Sequence, residues 1–244
     1  VKCEHMRVLQ ITYSYKPVLG GADVYADDLR RVLEEAGIQV HVLQKRPAPD
    51  DPAVRCYPRP FSAVNAFWLQ PFSLPLMAAA LRRYDVLICH YPNYCLPALW
   101  HKRVIGLSHG VTWDDRPGTL RSRVKRFVAR WAFNACARFV ANDTFFLREM
   151  GLSVAPGQQP YVEVAPGKWY VPNAVDTDIL CPGKPSPEAA QLAPFILVPR
   201  NIYWNRGVHI AIAAFARICR TRPELKMVVV GGEGQPEAMA AARH

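Results

Sequence analysis

Arg7-Val8-Leu9-Gln10-Ile11-Thr12-Tyr13, then the loop Lys16-Pro17-Val18-Leu19-Gly20-Gly21, then, after a helical stretch, Gln39-Val40-His41-Val42-Leu43: these runs decide the class of the fold. The first is rich in β-branched and apolar residues and stops at a Pro/Gly loop, as a strand entering a turn does. Between residues 22 and 36, Val24, Leu29, Val32 and Leu33 recur at helical spacing, and the pattern ends at Gly37, a usual helix stop. A strand-helix-strand unit of this kind needs a right-handed crossover between parallel strands.

The alternation continues along the chain. Nearly continuous apolar runs at 84–89, 103–107 and 138–141 predict strands buried on both faces, with a helix over 119–136 between the last two. The expected fold class is therefore α/β, a doubly wound parallel sheet. After Val171-Pro172-Asn173 the composition changes, and Pro182-Gly183-Lys184-Pro185-Ser186-Pro187 reads as an exposed connector. We expect a first domain over 1–171, a connector over 172–194 and a second unit over 195–244, with strands at 195–198 and 225–230 around a helix over 207–221. Two strands are too few for an independent α/β core, so the chain reads as cut within its second domain.

Of the 244 residues 50% are hydrophobic and 20% charged, and the 14 Gly and 22 Pro are scattered, which excludes a disordered or fibrous chain. The longest apolar stretch, at 74–81, contains Pro75 and falls far short of the roughly 20 residues that span a bilayer. The N-terminus runs into a strand pattern without an apolar signal region, and the seven cysteines are odd in number, unpaired in spacing and mostly in apolar segments. Both features predict a reducing, cytoplasmic setting. The net charge is +10, and Arg121, Arg123, Lys125, Arg126, Arg130 and Arg138 place six positive charges between Pro117 and Ala141 with no acid among them. Such a concentration suits an anionic partner, whether phosphate, acidic lipid or nucleic acid. No recognised nucleic-acid module accompanies it, so no nucleic acid is expected as partner.

Three places along this order can carry chemistry. Gly20-Gly21 lies between a strand's carboxyl end and a helix's amino end, where free N–H groups and the helix dipole favour anions; the plainer reading is a tight turn. His109-Gly110 follows the strand ending at Leu107-Ser108 and projects from the same sheet edge, either as a functional imidazole or as a structural hydrogen-bonder. Arg200 at a strand end and Arg206-Gly207 at a helix start could clamp a diphosphate, or be solvated loop arginines. No metal is expected: Asp176-Thr177-Asp178 sits in the connector, and Cys89, His90, Cys95 and His101 match no closed tetrahedral spacing. The three-glycine dinucleotide fingerprint is also absent, which argues against an NAD enzyme.

On a helical wheel Arg123, Arg126 and Arg130 form one stripe beside an apolar stripe of Val124, Phe127, Val128, Trp131 and Ala135. This is either a helix lying on an anionic membrane or a core-packed helix with a solvated basic edge. The stretch from Phe61 to Leu81, with Phe67, Trp68 and Phe72, has the same two readings.

Met6-Arg7-Val8-Leu9-Gln10-Ile11, Tyr15-Lys16-Pro17 with Gly20-Gly21-Ala22-Asp23, and Glu35-Ala36-Gly37-Ile38-Gln39-Val40 together resemble the opening of family 4 glycosyltransferases of the GT-B fold. Ser108-His109-Gly110-Val111, Val171-Pro172-Asn173-Ala174-Val175-Asp176, Arg200 to Arg206-Gly207 and Val228-Val229-Val230-Gly231-Gly232-Glu233-Gly234 follow in the same order, so the resemblance spans nearly the whole chain. It implies two Rossmann-like domains, an acceptor at the first and a nucleotide-sugar at the second, with hexosyl transfer at retained configuration and no metal or other cofactor. By this resemblance His109 lies beside the transferred sugar, Gly20 and Gly21 approach the donor's diphosphate or an acceptor phosphate, and Arg200, Arg206 and Gly232 serve the donor's phosphates. The acceptor would be a glycan or a lipid-linked molecule at the inner face of a membrane, contacted through Arg123, Arg126, Arg130 and Trp131.

Two departures stand out. The family usually has Lys where Arg206 stands, and its paired glutamates would lie beyond His244. The 244 residues alone are therefore expected to transfer sugar poorly. The alternatives are a non-catalytic protein that binds an acceptor or depends on a partner, and a GT-B-like sugar-nucleotide epimerase.

Overall fold

The computed structural model describes residues 6–18, 20–48, 50–62, 67–113, 118–155, 161–178, 181–183, 186–202 and 206–231. The chain divides into two compact units, Val1–Ala174 and Val175–His244.

In the first unit eight strands, β1 (Arg7–Ile11), β2 (Gln39–Gln44), β3 (Val54–Cys56), β4 (Val86–Cys89), β5 (Val104–Ser108), β6 (Arg138–Ala141), β7 (Val162–Ala165) and β8 (Lys168–Tyr170), form one sheet. Its order is β3-β2-β1-β4-β5-β6-β8-β7. The helices are α1 (Gly21–Glu35), α2 (Ala78–Leu81), α3 (Pro92–Cys95), α4 (Leu120–Ala135) and α5 (Thr144–Glu149). From β1 the chain winds outward through β2 and β3, then returns to start β4 on the other side of β1, so the order reverses between β1 and β4. Open α/β sheets bind ligands outside the carboxyl ends of the strands that flank such a reversal. Leu9, Ile11, Leu43, Leu87, Cys89 and Phe139 are fully buried at the centre of this sheet. Each large apolar side chain so placed contributes about 1.5–3 kcal/mol.

The expectation of a wholly parallel sheet needs one correction. β7 runs antiparallel to β8, with a register shift between Glu163 and Ala165, while every other ladder in this sheet is parallel. The turn that permits the reversal holds Gly167 at φ 70, where a Cβ would stand 2.1 Å from the Ala137 carbonyl oxygen. Only glycine fits there. β7 and β8, like β3 at the opposite edge, are too brief to show a period in sequence.

The second unit contains α6 (Pro187–Leu192), β9 (Phe195–Val198), α7 (Val208–Ile218) and β10 (Lys226–Val229), and β9 and β10 pair in parallel. Among the cysteines Cys89, Cys95 and Cys136 are buried thiols, whereas Cys181 is exposed.

Candidate functional site

Gly20 caps α1 in extended conformation. The first claim on that helix start is internal: buried Asp23, in its first turn, accepts from the Gly20 N–H at 3.0 Å through Oδ2 and from the Ser14 hydroxyl at 2.8 Å through Oδ1. A carboxylate there is favoured by the helix dipole, and it meets part of the positive end before any ligand does. The N–H groups of Gly21 and Ala22 have no intrahelical acceptor, as in any first turn.

His109 follows β5 and lies at the same carboxyl edge. Its Nε2 is 3.0 Å from Nδ1 of His90, which follows β4, and its Nδ1 is 3.1 Å from Nδ2 of Asn142, which follows β6. The imidazole planes are inclined by 19° with centroids 5.3 Å apart. That separation is the N···N distance plus the two ring radii, so the rings meet edge to edge in nearly one plane, the best direction for a ring nitrogen's lone pair. Tyr25 of α1 packs edge-on against the His109 ring at 4.9 Å, and Tyr91 does so at 5.9 Å. Burial pushes His109 down to about 4 despite the opposing field of Asp23. Burial, followed by the neighbouring His109, also pushes His90 well below the usual imidazole range. Both rings are therefore neutral at pH 7.

Beyond His90 the network continues into the sheet. Its Nε2 is 2.6 Å from Oε1 of Gln10 in β1, and Nε2 of Gln10 donates to the Ala26 carbonyl of α1 at 3.1 Å. In the other direction Asn142 Nδ2 donates to Oδ1 of exposed Asn173 at 2.8 Å. Next to it, Asp143 caps α5 by accepting from the Phe146 N–H at 2.7 Å. Its second oxygen is buried without a partner, 3.5 Å from where a Cβ on Gly110 would stand.

The structure thus brings Gly20, Gly21 and His109 to one edge. The supporting residues Gln10, His90 and Asn142 carry no motif signal, and His90 stood out in the sequence only as one of four residues whose spacing matches no closed metal site. One cue was available: a glutamine in a strand buried on both faces must find a partner.

The basic helix differs from its core-packed reading. α4 turns Ser122, Lys125, Ala129, Ala132 and Phe133 inward, with Lys125 Nζ donating to the Thr112 carbonyl at 2.6 Å. The apolar stripe chosen from the wheel faces outward instead, with Val124 51%, Phe127 66% and Trp131 56% exposed. Arg123 and Arg130 are exposed beside it, while Arg126 is held by Glu149 of α5 at 3.0 Å. In the earlier aromatic stretch Phe67 packs on the core and Phe72 is exposed. Among the described residues no helix is long and apolar enough to cross a membrane.

In the second unit Arg200 follows β9 and Arg206 precedes α7, and both are exposed. The chain after β10 passes so close to the Arg200 carbonyl that a Cβ on Gly231 would come within 2.3 Å of it. Gly232 lies outside the described residues.

Residues 19–153, more than half of the chain, match the model of Glycosyltransferase Family 4. The chain belongs to this glycosyltransferase family. Its fold is GT-B-like: it superposes on the Anabaena Alr3699/HepE structure in complex with UDP and glucose with a TM-score of 0.66 at 17% identity, covering 98% of this chain and 64% of that one. For an α,α-trehalose-phosphate synthase (UDP-forming) from Burkholderia vietnamiensis the TM-score is 0.59 at 14% identity, with 98% and 67% covered. Among curated sequences, this family 4 glycosyltransferase is 25% identical over 249 residues to a phosphatidylinositol N-acetylglucosaminyltransferase subunit of Arabidopsis thaliana, covering 94% of the chain and 52% of the relative. The chain spans about half the length of that curated relative and about two thirds of the solved structures.

Proposed function

We propose that this chain serves the transfer of a hexosyl group, with retention, from a UDP-sugar to a lipid-linked acceptor at an anionic membrane surface. Its family supports glycosyl transfer; the UDP and glucose bound to the Anabaena protein support the donor class, and the plant relative's name supports a phospholipid-like acceptor. The observation that carries the reading is the neutral His109, held at the carboxyl edge by His90 and Asn142.

In this reaction the bond from the anomeric carbon to the diphosphate breaks, the acceptor hydroxyl oxygen bonds to that carbon, and the hydroxyl proton must leave. His109 is not the base: a group that protonates at about 4, with both nitrogens engaged, is a poor proton acceptor at neutral pH. It acts as a neutral, oriented wall against the sugar, and the departing diphosphate takes the proton. Arg200 and Arg206 hold the diphosphate through charge-assisted hydrogen bonds that stabilise its growing charge. In the first unit the N–H groups of Gly21 and Ala22 offer donors to an acceptor phosphate, and α4 supplies the membrane contact through Arg123, Arg130, Phe127 and Trp131.

The test incubates the protein with UDP-[14C]glucose and UDP-N-acetyl[14C]glucosamine in the presence of phospholipid vesicles containing phosphatidylinositol. Label appearing in the organic phase supports the proposal. Donor binding without transfer supports a non-catalytic, acceptor-binding role instead, and an altered nucleotide-sugar without acceptor supports an epimerase.

A further inference from the structure

We infer that His90 is a positioning residue that fixes the proton order of His109, leaving the Nδ1 of His109 as an obligate hydrogen-bond acceptor. The order follows from one main-chain group. The Ala26 carbonyl can only accept, so the Gln10 atom 3.1 Å from it is the amide nitrogen, and the other end of Gln10 is its carbonyl oxygen. That oxygen can only accept, so His90 carries its proton on Nε2, 2.6 Å away. A neutral imidazole has one N–H, so Nδ1 of His90 is a lone pair, and the nitrogen facing it in the ring plane, Nε2 of His109, must donate. The second nitrogen of His109 is then a lone pair, matched by the amide N–H of Asn142, whose other N–H goes to Asn173.

From Asn142 inward to α1 every bond points the same way, while the second N–H of Asn142 points outward to exposed Asn173. Gln10 and His90 are fully buried and Asn142 nearly so, which keeps water from offering substitute partners and makes the order costly to break. The groups facing His109 are Asp23 and Tyr25 from α1, His90 and Tyr91 after β4, and Asn142 after β6.

A consequence for the ligand rests on the function proposed above. A group that replaces Asn142 at Nδ1 of His109 must bring a hydrogen, as a sugar hydroxyl does. A fully ionised phosphate oxygen would meet a lone pair. His109 thereby selects the polyol part of a nucleotide-sugar, and the phosphates must find their donors elsewhere.

The test is tautomer-resolved NMR of the imidazole nitrogens in the full 244-residue chain, labelled with 15N-histidine, at pH 7 and without ligand. The seven histidines are assigned by substitution. Both His90 and His109 are expected to show protonated Nε2 and bare Nδ1. In Gln10→Leu, which removes a residue that does not touch His109, the His109 nitrogens should lose this single-tautomer pattern. In Asn142→Asp, where a carboxylate replaces the donor, His109 should gain a proton on Nδ1 while keeping the one on Nε2. An Nδ1-protonated form of either ring in the wild type overturns the inference, as does an unchanged His109 signal in folded Gln10→Leu. If Gln10→Leu does not fold, loss of the Nε2 proton of His109 in Asn142→Asp overturns it. No transfer assay enters this test, so its failure is separate from failure of the proposed function.

Discussion

His90 Nδ1 and His109 Nε2 lie 3.0 Å apart with their rings nearly coplanar, although they follow different strands and are 19 residues apart. Neighbouring parallel strands β4 and β5 deliver the two imidazoles to one edge. Replacing His90 with Phe keeps a planar ring but leaves the His109 Nε2–H buried without an acceptor. The expected cost is about 1–3 kcal/mol. Urea unfolding would read this as a lower midpoint at unchanged slope; a midpoint equal to wild type would show that the bond contributes nothing.

Acid should destabilise the fold in a defined window. Both imidazoles titrate below the ordinary 6.5 when folded, His109 at about 4 and His90 well below the usual range. The unfolded chain therefore binds their protons first as pH falls. The stability is complete above about 6.5 and is lost down to the folded values, at about 1.4 kcal/mol per pH unit for each histidine. Asp23, Tyr25 and Tyr91 face the pair. Unfolding midpoints at pH 7 and pH 5 should differ in the wild type and differ less in His90→Phe.

The outward face of α4 predicts a salt-sensitive affinity for anionic vesicles. Each basic side chain near such a surface contributes about 1 kcal/mol, or about fivefold. Arg123→Glu and Arg130→Glu should each weaken vesicle co-sedimentation by at least that factor at low salt. Arg126→Glu should matter less, because Glu149 already holds Arg126. Equal effects of all three would argue against this orientation of the helix on the bilayer.

Arg200→Ala and Arg206→Ala should each weaken UDP binding, by about tenfold or more, since a hydrogen bond to a charged group contributes about 1.5–3 kcal/mol. Calorimetric titration with UDP reads the change, and identical affinities in wild type and both variants would remove the arginines from the donor site.

Gly167→Ala forces a Cβ against the Ala137 carbonyl oxygen at a positive φ. A cost of about 1–3 kcal/mol from the backbone conformation alone is expected, with loss of the β7–β8 hairpin. Amide exchange of residues 162–170 faster than in the wild type would report it.

Local chemistry makes a large part of this fold legible in the residues themselves. The period of Val24, Leu29, Val32 and Leu33, the stop at Gly37 and the apolar runs at 84–89, 103–107 and 138–141 carry helices and strands in their own residues, and parallel connection orders them into a doubly wound sheet. Strand ends then place Gly20-Gly21 and His109 at one edge without further information. Which stripe of α4 faces inward had to wait for the packed chain, because periodicity defines faces and not the side on which the sheet lies. The antiparallel turn at Gly167 is set in the same way, since its constraint is the distant Ala137 carbonyl. The partners of His109 depend most on tertiary contact. Gln10 and His90 are 80 residues apart in the chain and become hydrogen-bonded because β1 and β4 are neighbours in the sheet, a pairing that no local pattern encodes.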